Sequence, residues 1–239
     1  MAFRLEVTRE GAPRTVRHGV HAAGGARLAR CITPSPGWIH LMHRRPVPLS
    51  KAYRLLNHGP TVMVTSAHAG RRNVMSAAWN MPLDFNPPKV AVVIDKSTYS
   101  RQLIEGSGLF GLNVPGRALA QAAHDAGQVS GRELQPDADK FQRLGLQTWQ
   151  DDGPQGLGLP MIEGCVAWLA CRVLPEPRNE QVYDLFLAEV IGAWADERVF
   201  ADGHWRYGPD TDPALRTLHY VAGGHFLTIG EPLSVDLGD

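Results

Sequence analysis

The sequence predicts a mainly β protein, an antiparallel barrel of Greek-key type with a few short helices. Three observations carry that expectation. Strand-like runs outnumber helical ones between residues 60 and 230, and the links between them are short and direct. No Gly-x-Gly-x-x-Gly turn opens a β-α-β unit, which excludes a Rossmann dinucleotide domain. With 239 residues, 44% of them hydrophobic, the chain is long enough to bury a sizeable core.

The first forty residues stand apart. They are rich in Arg, Gly and Ala and keep no helix or strand period, so residues 1–41 read as a flexible leader or an over-extended start. Glu6 and Glu10 interrupt the acid-poor pattern of a transit peptide, and Met42 offers a second start for a domain spanning 42–239. Lys and Arg together number 24, as do Asp and Glu, so neither a nucleic acid nor an anionic membrane is expected as a partner. Cys31, Cys165 and Cys171 are too irregularly spaced for a disulfide framework or zinc knuckle. They suit a reducing, cytoplasmic setting.

The elements follow in order. TVMVTSA (61–67) and NVMSAAWNM (73–81) read as two strands of a hairpin turned at Gly70. Pro87 and Pro88 end the next connection, because proline donates nothing to a sheet ladder. KVAVVID (89–95) is a buried strand, and STYSRQLIEGSG (97–108) a short helix capped by Ser97 or Thr98. LFGLNVP (109–115) is a strand stopped by Pro115. Leu119, Ala122, Ala123 and Ala126 fall at i, i+3, i+4 and i+7, which makes 117–127 an amphipathic helix ending at Gly127. DADKFQRLG holds one more short helix. GCVAWLACRVL (164–174) and VYDLFLAEVIGAW (182–194), linked by PEPRNEQ, read as long strands covered on two sides or buried at a subunit contact.

The stretch from 73 to 101 carries the chemistry. Lys96, Ser97, Thr98 and Ser100 sit where a strand hands over to a helix, and there backbone N–H groups, hydroxyls and a positive dipole end suit a phosphate. Lys96 and Arg101 add charge. Helix capping alone explains the same hydroxyls. In 73–81, alternation sends Val74, Ser76, Ala78 and Asn80 to one face and Asn73, Met75, Ala77, Trp79 and Met81 to the other. Small residues let a flat ligand approach the backbone; packing of a barrel interior is the competing account for Met75 and Trp79.

GRRNVMSAAWNMPLDFNPPKVAVVIDKSTYSRQLIEGSGLFGLNVP (70–115) resembles the flavin reductase-like, FMN-binding split-barrel family that includes flavoredoxin. The shared order is a Gly-Arg-x-Asn turn, an Asn-x-Met-[Ser/Thr] strand with a downstream Trp, and a Pro-Pro break. A Ser/Thr-rich strand-to-helix junction and Phe-x-x-Asn-x-Pro then follow. The likeness weakens after 115 but stays compatible as far as LHYVAGGHFLTIG (218–230). It implies an FMN-binding split β-barrel homodimer, with one FMN per subunit near the dimer contact. Asn73, Met75, Ser76 and Ala77 would line the isoalloxazine with Trp79 nearby, and Asn80 and Met81 would approach the ribityl chain. Lys96, Ser97, Thr98, Ser100 and Arg101 would hold the phosphate.

The implied function is FMN-dependent oxidoreduction with NADH or NADPH as donor and a small molecule or protein as acceptor. The flavin carries the chemistry, so no side chain is named as catalytic. An FMN-binding electron carrier acting through a partner protein is the alternative, and a barrel serving only as an interaction module is a third. His68 lies at the hairpin tip, and His219 and His225 straddle a Gly-Gly turn without ligand spacing, so no metal is expected.

Overall fold

The structure, a computed structural model, describes residues 43–134, 138–150 and 156–236. The leader read over 1–41 lies outside them. β1 (Arg44–Pro46) and α1 (Leu49–Ala52) lead into β2 (Val62–His68), β3 (Arg71–Ala77), β4 (Asn80–Phe85) and β5 (Pro88–Val93). α2 (Tyr99–Ser107), β6 (Leu109–Pro115), α3 (Ala120–Gln128) and α4 (Lys140–Arg143) come next. The strands β7 (Thr148–Gln150), β8 (Pro160–Ile162) and β9 (Cys165–Leu174) precede α5 (Pro177–Tyr183) and β10 (Leu185–Asp196). The chain continues through β11 (Phe200–Ala201), β12 (His204–Trp205), β13 (Leu218–Ala222) and β14 (His225–Thr228).

The main sheet runs β3-β2-β6-β9-β10-β5-β4, with β1 added on β10, and every pairing is antiparallel. β3 and β4 are neighbours in sequence yet stand at opposite ends of that path. Only Ala78 and Trp79 join them, so the two ends lie within three Cα steps, at most about 11 Å. The sheet curls into a split barrel whose opening falls between β3 and β4.

Alternation sorts the apolar residues into two layers. Val62, Val64, Leu112, Val166, Leu169 and Phe186 fill the barrel, joined by Ile104 of α2. Met63, Val74, Met161 and Trp168 face outward under α3 and α4, against Ala123, Ala126 and Phe141. β9 is buried without interruption from Cys165 to Cys171 because one face belongs to each layer, as its unbroken apolar run predicts. Phe110 and Phe186 are fully enclosed, each contributing about 2–3 kcal/mol of burial. Thr98 caps α2 by accepting from the Arg101 amide, and Gly108 ends it at φ +70, in the left-handed region glycine favours.

Two elements differ from the sequence reading. Residues 73–81 are two strands rather than one: β3 stops at Ala77, and Asn80 pairs with Val92 of β5 instead of continuing along β2. Pro82 explains the choice, since a residue without an N–H suits an edge strand. PEPRNEQ is largely the helix α5, for which Pro177 supplies a preset φ at the first turn. Beyond the barrel, the β13–β14 hairpin docks through Thr61, whose amide donates to Leu218 O at 2.7 Å and whose Oγ1 accepts from Tyr220 N at 2.9 Å. Among the described residues no helix is long and apolar enough to cross a membrane.

Candidate functional site

Residues 73–81 border the split, and the two layers decide which of their side chains remain exposed there. Met75 pairs with Val64 and shares the barrel face with Asn73 and Ala77; Val74 and Ser76 point to the α3 side. Ala77 is buried at 8% exposure, packed in the barrel core. The Ser76 hydroxyl donates to Ala123 O, tying β3 to α3. Beyond the bend the surface opens: Trp79 is 61% and Met81 53% exposed, on an edge strand that also exposes Leu83 and Phe85. Asn80 donates from Nδ2 to Pro60 O at 2.9 Å, while its Oδ1 is buried without a partner.

β3 has a second open feature, its outer edge. In an antiparallel ladder alternate residues turn their N–H and C=O groups away from the partner strand. Val74 does so, since its carbonyl accepts from Lys140 Nζ at 2.6 Å, and Ser76 lies two residues on along the same edge. Lys140 is 3% exposed and also donates to Ala126 O at 2.8 Å, at the end of α3. Burial pulls its ammonium pKa down to about 8. Nothing in the local sequence marks this lysine as interior, because its partners belong to other elements.

The β5–α2 junction divides. Lys96 is exposed, donating to Gln181 O at 3.3 Å and lying 3.5 Å from Asp184 Oδ1. Ser97 donates from both N and Oγ to Asp95 Oδ1, at 2.8 and 2.6 Å, and these bonds hold the Asp95 carboxyl below its ordinary pKa. Thr98 Oγ1 donates to Asp95 O at 2.8 Å while capping the helix. Ser100 is wholly buried and accepts from Asn73 Nδ2 at 2.9 Å. Arg101 is 7% exposed, its guanidinium donating to Glu105 Oε1 and Asp184 Oδ1 at 2.7 and 2.6 Å and to Glu180 O at 2.8 Å. Lys96, Ser97 and Thr98 therefore remain at the surface, and Ser100 and Arg101 are built into the fold.

Cations gather instead at the β2–β3 tip. A cavity of about 330 Å³ is lined by residues 67–72 with Gln150, Gly158 and Pro160. A smaller cleft of about 170 Å³ shares Gly70, Arg71 and Arg72 and reaches Gly131, Asp139 and Lys140. Arg71 stands 6.0 Å over the ring of Tyr99, the first residue of α2. Arg72 donates to Asp139 Oδ2 and, at 3.0 Å, to Thr148 Oγ1. The buried Asn73 Oδ1 has no partner and lies against Gly131, where a Cβ would collide with it.

The histidines take other roles. His68 rests its ring on Gly106 of α2. His219 meets Gly59 O at 3.1 Å, and burial together with His219 lowers the His58 pKa to about 4. His225 is exposed at the start of β14. Among the described residues no three His, Cys, Asp or Glu side chains could hold a metal ion.

A mainly β split barrel, open beside an unpaired strand edge and an exposed tryptophan, defines a class of flavin-binding domain. Residues 54–211 match the family described as flavin reductase like domain, and the chain belongs to that family. It is 46% identical over 189 residues to the uncharacterized protein YddH of Escherichia coli K12, covering 78% of this chain and 95% of that one. Among solved structures it is similar to an FMN-binding domain of a flavin reductases-like enzyme from Shewanella baltica OS155. That match has 50% identity and a TM-score of 0.75 over 81% of this chain and 97% of the other. Flavoredoxin of Desulfovibrio vulgaris (Miyazaki F) shares the fold at 23% identity and a TM-score of 0.61, over 75% and 91% of the two chains.

Proposed function

We propose that this chain binds FMN at the β3–β4 opening and acts as an NAD(P)H-dependent flavin reductase-like oxidoreductase. The observation that carries the reading is the opening itself: an outer strand edge at Ser76, exposed Trp79 and Met81, and the buried Asn80 Oδ1 without a partner. The residues fit a flat ring with polar edges and a polyol tail. Bound FMN supplies hydride and electron transfer. The chain's own part is to seat the ring along Asn73–Ala77, cover it with Trp79 and leave one face open to the donor. Lys140, bonded to the Val74 carbonyl, would add positive charge behind the strand along which the ring would lie.

Met81, Leu83 and Phe85 form an exposed apolar strip on an edge strand, which supports a homodimer joined beside the flavin. The buried, unpaired Cys165 and Cys171 suit a cytoplasmic setting. Residues 42–239 are proposed as the working domain.

Anaerobic stopped-flow mixing of FMN-loaded protein with NADH and NADPH tests the reading. Bleaching of the flavin band at about 1–10³ per second is expected of an enzyme. Reduction only through a second protein would make the chain a carrier. Protein that takes up no FMN at micromolar concentration would overturn the flavin assignment.

A further inference from the structure

We infer that His58 and His219 are positioning residues for the opening: two imidazoles that latch the β13–β14 hairpin beside it and hold only while uncharged. His58 Nε2 meets Thr217 Oγ1 at 3.0 Å, and His219 Nδ1 meets Gly59 O at 3.1 Å. The two rings stand edge to face with centroids 5.6 Å apart, and the Trp205 ring stands against His58 at 5.0 Å. Residues 58–61 therefore carry both contacts of the latch and the Thr61 bonds to Leu218 and Tyr220. The same segment offers the Pro60 carbonyl to Asn80 Nδ2, so it ties the hairpin to the residue that begins β4 at the split.

The surroundings make this latch sensitive to protons. His58 Nδ1 is buried without a partner. With Nε2 donating to Thr217, a neutral ring leaves a lone pair at Nδ1, whereas a charged ring leaves an N–H there with no acceptor. Arg54 directs its guanidinium to Gly203 O and His204, and Arg216 directs its own to Gly208 O and Ile229 O. The carboxylates on this side are engaged: Glu231 by Arg216, Asp196 by Arg198 and Asp202 by Arg206, while Asp212 accepts from the Ala214 amide. The Tyr207 hydroxyl is buried and stays protonated. His124 of α3, bonded to Asp125, lies against the far end of the hairpin at Gly224. Burial, with His219 beside it, holds the His58 pKa at about 4 against an ordinary 6.5, so a released ring takes up a proton first and acid favours release.

Hydrogen exchange of the full-length protein at pH 7 and pH 5, corrected for intrinsic rates, tests the latch. The opening constant of the amides over 218–228 should rise about 20-fold in wild type, and less than about threefold in His58→Gln. His124→Gln should keep the wild-type response. A wild-type rise below threefold, a response retained by His58→Gln, or one abolished by His124→Gln overturns the inference. Should His58→Gln not fold, the wild-type and His124→Gln responses decide alone. The link to the opening rests on the flavin reading above and has its own readout. FMN at about a hundred times its Kd should slow hairpin exchange at pH 7 by about 100-fold. Exchange slowed in β3 but less than threefold in the hairpin overturns the positioning role. If wild type takes up no FMN, the flavin reading fails while the comparison of pH 7 with pH 5 still decides the latch.

Discussion

At the scale of single residues, the fold assigns work that neighbours in sequence do not reveal. Arg101 reads as a phosphate ligand because it follows a Ser/Thr cluster, yet one of its carboxylate partners, Asp184, is 83 positions away. Lys140 sits in the short helix α4, yet it bonds the Val74 carbonyl 66 positions away. Its folded pKa of about 8 lies below the ordinary 10.5, so the unfolded chain holds the extra proton between those values. Stability should therefore rise with pH across that window, by up to about 3 kcal/mol. Urea titrations at pH 7.5 and 10 check this against Lys140→Met, which should lack that share of the slope. Ala77 is the other instructive residue. Its small side chain reads as a shelf for a flat ring, and the structure also places it in the barrel core. Ala77→Leu should therefore cost about 1–3 kcal/mol by overpacking as well as weakening flavin uptake. Chemical denaturation and absorbance near the flavin band measure the two effects separately.

Among the elements, alternation and proline made most of the barrel legible. β2, β5, β6 and β9 fall where runs of Val, Leu and Ala predict them, because strands with a buried face write their period into the sequence. β4 was hidden because NMPLDF exposes its apolar residues and buries little, the reverse of a core strand. Its identity depends on β5 beside it rather than on its own pattern. The same exposed strip yields a prediction. Met81→Lys with Leu83→Lys should leave the monomer folded, since neither side chain packs in the core, and should disrupt the proposed dimer. Sedimentation velocity should show a shift to the monomer, with circular dichroism unchanged; an unaltered dimer would place the contact elsewhere. α5 falls in PEPRNEQ, which reads as a plain link between two strands, whereas the fixed φ of Pro177 is an advantage at a helix start.

For the whole molecule, the family could be read from one continuous stretch of sequence, but the placement of charge could not. The motifs between Gly70 and Pro115 mark β3, the turn after β4, α2 and β6, and of these β3 and the β4 turn belong to the strands that flank the opening. Which cations face it depends on how α4 and α5 pack against the sheet, and that is a property of tertiary contacts. Ligand linkage gives a test on this scale. FMN at about a hundred times its Kd should stabilise the protein by about 2.7 kcal/mol, read as a rise in Tm; riboflavin at the same multiple should do the same. The two-residue joint at Ala78 and Trp79 has a consequence of its own. β3 and β4 share no ladder across the opening, so its width is set by this joint together with the Asn80–Pro60 hydrogen bond beside it. The exposed aromatic ring of Trp79 is thus carried by the very segment that spaces the two edges.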